Sequence, residues 1–201
     1  MDYESVEKFI LDMLKQKLSD KLYYHNVRHT EETINAAEEF SKAEGLPEEE
    51  ITILKTAALF HDLGYLYLPV DNEPFGAEFA RKTLPEYGYT PAQIDKICSL
   101  ILATTLPQRP QNLEQQIICD ADLQYLGTEG SHEKANLLRK EMSTYNMSFS
   151  DRGWLDYQIN FLKNHHYFTN SCKQSRDNAK ARYLKELIEI RDKIPEESNG
   201  K

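Results

Sequence analysis

The feature that most narrows the folds open to this chain is the spacing of its apolar residues. They recur three and four positions apart and almost never in alternation. Val6, Ile10, Met13, Leu14 and Leu18 form one stripe over residues 4–18. Behind the start signal at Pro47, Ile51, Leu54, Ala58 and His61 form another. Behind Pro91, Ile94, Ile97, Cys98, Ile101 and Leu102 face together. Further helices are expected near residues 30–43, 74–84, 112–126, 132–144, 151–168 and 177–193. No run shows a convincing period of two, so the expectation is an all-α, single-domain helical bundle with almost no β-structure. The domain is expected over residues 1–195, with residues 196–201 as a frayed polar tail. At 201 residues the chain is long enough to bury a proper core.

The net charge of −9 argues against tight binding to nucleic acid or to an anionic membrane surface, because like charges repel at long range. It does not exclude a small anionic substrate, since a bound cation inverts the field locally. Cys98, Cys119 and Cys172 are odd in number and widely spaced, without a CxxC pair. A reduced, cytoplasmic setting is therefore expected. The acidic start, Met1-Asp2-Tyr3-Glu4, lacks the basic residues of a signal peptide, and no apolar run is long enough to span a bilayer. A homodimer is compatible with this composition.

Three places carry candidate chemistry. In Ala57-Ala58-Leu59-Phe60-His61-Asp62, a carboxylate follows an uncommonly apolar turn, and burying it without a cation or donors is costly. Read alone, His61 is a core histidine and Asp62 caps the next turn. In Cys119-Asp120-Ala121-Asp122, Asp122 shares the face of Ile118, Ala121 and Tyr125. Asp120 lies about 160° around the helix and is expected to be the solvated one of the two. In His25-Asn26-Val27-Arg28-His29-Thr30, His29 opens a helix whose stripe continues through Ala36 and Phe40. His25 lies one turn earlier and is able to face the same cavity. Two neutral imidazoles and two carboxylates, from His29, His61, Asp62 and Asp122, suit one divalent ion such as Mn²⁺, Fe²⁺, Co²⁺, Ni²⁺ or Zn²⁺. On an octahedral ion two positions stay open, one for a water whose pKa the ion lowers and one for a phosphoryl oxygen.

His-x-x-x-His-Thr, Leu-Phe-His-Asp-Leu-Gly and Asp-Ala-Asp-Leu-x-x-Leu-Gly stand here in the order found in the HD superfamily of metal-dependent phosphohydrolases, which the chain resembles over roughly residues 20–170. The resemblance implies an all-α core of the HD-domain type and places the family's metal ligands on His29, His61, Asp62 and Asp122. The stretches Asp71–Ala80, Ala103–Pro110 and Trp154–Thr169 are most similar to bacterial proteins known only as predicted HD phosphohydrolases. Tyr24-His25-Asn26-x-x-His29 is also similar to the opening motif of class I cyclic nucleotide phosphodiesterases, and that similarity makes His25 the candidate general acid.

The departures matter too. The phosphodiesterases continue His-Asp-x-x-His, whereas this chain reads His61-Asp62-Leu63-Gly64-Tyr65, and no histidine lies between Asp62 and Asp122. Branches with two metals draw extra histidines from that interval, so one ion is expected. Asp71 or Glu73 is a candidate to hold Mg²⁺ or orient the attacking water, or else is an acid favoured by a helix N-terminus. Arg28, Arg109 and Thr104 are the candidates for gripping phosphate, with Arg28 equally readable as a surface ion-pair partner. His165 and His166 are expected to pack rather than bind metal. The expected activity is hydrolysis of a phosphomonoester or phosphodiester, a nucleotide or a nucleotide-like metabolite. The alternatives are a di-iron oxygenase on the same scaffold and a non-catalytic regulator that binds metal or nucleotide.

Overall fold

The computed structural model describes residues 1–67 and 72–195. Among them the secondary structure is helical throughout, with no strand. The α-helices are α1 (Tyr3–Lys17), α2 (Val27–Ala43), α3 (Glu48–Phe60), α4 (Asn72–Thr83), α5 (Pro91–Ala103), α6 (Leu113–Asp122), α7 (Ser131–Thr144), α8 (Asp151–Asn164) and α9 (Asn170–Arg191). Short 3₁₀ turns follow α3, α4 and α6 at Leu63–Leu66, Leu84–Tyr87 and Gln124–Gly127. Asp71 and the expected tail at 196–201 lie outside the described residues.

The all-α expectation holds, and the predicted stripes face inward except at Leu102, which one helical position from Ile101 turns out to solvent and leaves 45% exposed. Val6, Ile10, Met13 and Leu14 of α1 are buried, as are Ile51, Leu54 and Ala58 of α3 and Ile94, Ile97 and Ile101 of α5. Helix α2 packs across α3 and α6, and α5 packs on α3 and α4, so α3 runs through the middle of the bundle. Burying such a stripe supplies most of each helix's stability, since isolated helices of this length are marginal in water.

The starts of α2 and α6 are fixed by local chemistry. Asn26 caps α2 and accepts a hydrogen bond from the His29 amide at 3.2 Å, and Asn112 caps α6 in the same way through the Gln115 amide at 2.9 Å. Helix α3 stops at Phe60. His61 keeps a helical backbone, while Asp62 turns to φ −104°, ψ 12° and leads into the 3₁₀ turn. Two glycines make this corner possible by leaving room for other backbones. A Cβ on Gly64 would stand 2.3 Å from the Asn72 carbonyl oxygen, and one on Gly76 would stand 2.4 Å from that of Phe60. Helix α4 thus presses directly on the end of α3.

Three helix ends depart most from the periodicity. Helix α6 ends at Asp122 rather than continuing to 126, because Leu123 leaves the helical region at φ −102°, ψ 13°. Helix α8 ends at Asn164 rather than 168, and α9 begins at Asn170 rather than 177. The reason lies elsewhere in the chain. Asp120 is buried, not solvated as its helical position suggests, and accepts from the amides of Phe168 and Thr169, both at 2.8 Å, and from the Thr169 hydroxyl at 2.7 Å. Those contacts hold the 165–169 segment extended, and Thr169 then caps α9 through the Cys172 amide. Burial pushes the Asp120 carboxyl up from its ordinary value, with the Thr169 and Phe168 donors pulling the other way.

Candidate metal centre and cavity

Helix α2 contributes His29 from its first turn, the α3 corner contributes His61 and Asp62, and the last residue of α6 contributes Asp122. The structure brings all four together. His61 Nε2 lies 3.1 Å from Asp62 Oδ2, 3.5 Å from Asp122 Oδ1 and 3.3 Å from His29 Nε2. His29 Nε2 lies 3.2 Å from Asp62 Oδ2 and 3.4 Å from Asp122 Oδ1.

Neighbouring ligands on one ion, bound at about 2.0–2.2 Å, stand roughly 3 Å apart, so these spacings fit a single cation. Asp62 Oδ2 is buried without a hydrogen-bond partner, as expected of an atom whose partner is an ion. The His61 ring is set by its other nitrogen, with Nδ1 2.7 Å from the Ala58 carbonyl. That contact requires a proton on Nδ1 and leaves Nε2 as the electron-pair donor in the neutral ring, the usual arrangement for a metal-binding histidine. Among the described residues His29, His61 and Asp122 form the one cluster of three or more such donors.

The charges reinforce one another. Burial pulls the imidazole of His61 down, but Asp62 and Asp122 outweigh it and hold the group well above its ordinary value. His29 is raised by the same two carboxylates against its own burial. Burial pushes Asp62 and Asp122 up, and the two imidazoles reverse this, leaving both carboxyls below the usual range. Near neutral pH the ion-free pair of imidazoles therefore retains a proton that a cation must displace. Metal uptake at pH 7 is expected to release protons, and affinity is expected to rise by about tenfold per pH unit for each proton displaced until the pH passes the raised imidazole values. Calorimetric titrations in buffers of different ionisation heat measure this directly, and an enthalpy independent of the buffer would contradict it.

The site opens into a cavity of about 250 Å³ enclosed by the ends of α3 and α6 together with α7, α8 and α9. His25 lines it. The ring stacks on Tyr65 with centroids 4.1 Å apart, and its Nδ1 is paired with Glu141 Oε1. Glu141 is itself buried on α7, and its second oxygen accepts from the amides of Tyr24 at 2.8 Å and His25 at 3.0 Å. Glu73 is also in the wall, and its carboxyl is raised by burial first and then by the charges of Asp62 and Asp122. Thr104 lines the cavity with its hydroxyl donating to the Ile101 carbonyl at 2.8 Å, so it caps α5 as well.

The two arginines expected to grip phosphate are not in the cavity wall. Arg28 is exposed and pairs with Glu32 at 3.0 Å and Glu133 at 3.8 Å on the outer surface. One helical position from His29 turns a side chain about 100°, which carries Arg28 away from the ligand face. Arg109 is exposed in the loop between α5 and α6 and does not line the cavity either. His165 packs behind the wall against Phe161, Tyr167 and Lys180, with burial and then Lys180 pulling its imidazole down to about 3.

Residues that the sequence reading missed complete the site. Glu141 sits in the charged run Arg139-Lys140-Glu141, which resembles a solvated face, and only its position three residues after Leu138 hints otherwise. Gln108 donates to Asp122 Oδ2 at 3.4 Å from the loop before α6. Tyr24, Tyr65, Tyr125, Tyr145, Tyr157 and Tyr183 all line the cavity, so the tyrosines spread evenly along the chain converge in space.

Residues 26–123 match the model of the HD domain family. Over that stretch, just under half of its length, the chain carries the domain that defines the HD superfamily. Proteins of that superfamily are usually metal-dependent hydrolases, in keeping with the His and Asp cluster. No curated protein matches the chain. Among solved structures, Bacillus subtilis YpgQ is similar with a TM-score of 0.70 and 15% identity, covering 98% of this chain and 99% of that one. The same protein in complex with ADP gives 0.68 and 14%, covering 96% and 98%. A predicted HD superfamily hydrolase from an uncultured Thermotogales bacterium gives 0.60 and 18%, covering 92% and 89%. At these identities the likeness is one of fold. It extends over nearly the whole chain, well past the matched domain. No helix among the described residues is long and apolar enough to cross a membrane.

Proposed function

We propose that this protein hydrolyses a phosphomonoester or phosphodiester, a nucleotide or a nucleotide-like metabolite, at the centre formed by His29, His61, Asp62 and Asp122. The observation that carries the reading is the convergence of two imidazoles, each with its Nε2 3.1–3.5 Å from a carboxylate oxygen of Asp62 and of Asp122, beside a cavity that both carboxylates line. The ADP bound to the fold-related YpgQ supports a ligand of nucleotide size. A divalent ion held there supplies Lewis acidity, polarising a phosphoryl oxygen and lowering the pKa of water.

The chain's own residues then divide the remaining work. Hydrolysis forms a bond from a water oxygen to phosphorus and breaks the ester P–O bond. His25, with Nδ1 engaged by Glu141, holds at Nε2 the proton that the leaving oxygen takes. Glu141 positions the ring and does not meet the substrate. Glu73, raised and half-buried beside the centre, orients the water and accepts the proton it loses.

The test is elemental analysis of the purified protein, joined to a panel of phosphate mono- and diesters assayed with Mn²⁺, Co²⁺ and Zn²⁺. Turnover is expected with one ion per chain, and His25→Ala is expected to lower kcat by about 10²–10⁴-fold with the metal content unchanged. A blank panel, or a His25→Ala variant with full turnover, refutes the assignment.

A further inference from the structure

The cavity beside the metal centre has a composition at odds with a polyphosphate ligand. Asp62, Glu73, Asp122 and Glu141 all line it, and no described lysine or arginine does. Residues 68–71, Leu-Pro-Val-Asp, bring no cation either. The basic side chains of the neighbouring surface are engaged elsewhere. Lys134 pairs with Glu32, Arg139 with Asp151 and the Phe149 carbonyl, and Lys140 lies over the Tyr23 ring. One divalent ion offsets two of the four carboxylates and the protonated His25 is engaged by a third, Glu141, so a second or third phosphoryl group has no unengaged positive partner in the described wall.

The lining of the same cavity also has an apolar part. Leu123, Leu126, Leu138, Trp154, Phe161 and Leu162 form it. The rings of Tyr125, Tyr157 and Tyr183 line the cavity with them. Trp154 Nε1 is buried with no hydrogen-bond partner, and Gln158 shares the wall with its carbonyl oxygen taken by the Tyr183 hydroxyl at 2.7 Å. A buried indole N–H without an acceptor is costly, and a ligand acceptor at the edge of a ring would satisfy it.

From these observations we infer that the substrate carries a single phosphoryl centre joined to a flat, largely apolar ring system with an acceptor at its edge, and that added phosphoryl groups are selected against. The inference rests on the phosphohydrolase reading above for the placement of the phosphoryl group at the metal. The ring packs on the apolar side chains, and the single anion stays at the cation, the one positive charge in the described wall without a carboxylate of its own outside the ligand set.

Trp154 is the sole tryptophan, so its fluorescence reports occupancy of the cavity independently of turnover. The titration uses protein loaded with Mg²⁺ or Zn²⁺, neither of which quenches, and the probes methylphosphonate, 1-naphthylmethylphosphonate, AMP, ADP and ATP. The naphthyl compound is expected to bind at least about tenfold tighter than methylphosphonate and to change the Trp154 emission, because burial of the ring is favourable. ADP and ATP are expected to bind progressively more weakly than AMP, by about threefold or more per added phosphoryl group, because like charges repel more strongly away from bulk water. Met147→Lys places a cation at an exposed position of the lining and is expected to narrow the gap between AMP and ATP without disturbing the fold. Tighter binding of ATP than of AMP, no gain from the ring, or an unchanged gap in Met147→Lys overturns the inference. Hydrolysis that favours polyphosphates would sink it while leaving the phosphohydrolase reading intact. Ring-dependent binding without hydrolysis of any ester would do the reverse.

Discussion

Asp122→Asn is expected to weaken divalent-ion binding by more than about 100-fold and to lower turnover in parallel, since altering even a group behind a ligand costs 10–100-fold. Two effects add. The amide is a poorer, neutral donor, and this outweighs the reduced proton competition at the two imidazoles, which lose one of the carboxylates that raise them. In the wild-type protein an ion at 100 times its dissociation constant should stabilise the fold by about 2.7 kcal/mol. That increment is expected to vanish in Asp122→Asn. Thermal melts with and without added Mn²⁺ or Zn²⁺ measure it, and a variant that keeps the metal-dependent rise in Tm would remove Asp122 from the ligand set.

Two residues away the same helix gives a different expectation. Asp120→Ala strands the Phe168 amide, the Thr169 amide and the Thr169 hydroxyl, three donors whose acceptor is buried. A buried donor left unsatisfied costs about 1–3 kcal/mol, and water entering the hole returns part of that. A net loss of about 3–5 kcal/mol corresponds, at roughly 2–4 °C per kcal/mol for a domain of this size, to a Tm lower by about 10 °C. Asp120→Asn keeps one acceptor oxygen and is expected to fall between. Metal affinity should change by less than about tenfold in either variant. A Tm within about 2 °C of wild type would mean that the 165–169 segment is held by its other contacts.

The pair shows where the sequence is informative and where it is not. Asp122 was legible through the Ala-Asp-Leu context of the HD resemblance, with which its place on an apolar face agrees. Asp120 looked solvated because helical geometry places it on the opposite side, and nothing local reveals that the far side is covered by residues 168 and 169. The α8–α9 boundary failed for the same reason, since it is set by an acceptor 48 residues earlier. The stripes of α1, α3 and α5 depend on period alone and could be read directly. His25 was visible as one turn from His29, whereas its partner Glu141 lies 116 residues on, in a run whose composition points outward. Arg28 and Arg109 illustrate the opposite error. Adjacency to a ligand or to a cavity loop in sequence does not aim a side chain, and helical rotation took one away while exposure kept the other out.

Helix α6 consequently behaves as a splint with a job on each side. Its Asp122 faces the ion while Asp120, two residues back, fastens the segment from which α9 departs. Any single-residue insertion or deletion between them would swing one carboxylate through about 100° and undo either the ligand or the fastening. Length variation among relatives should therefore bypass the stretch from 120 to 122 altogether.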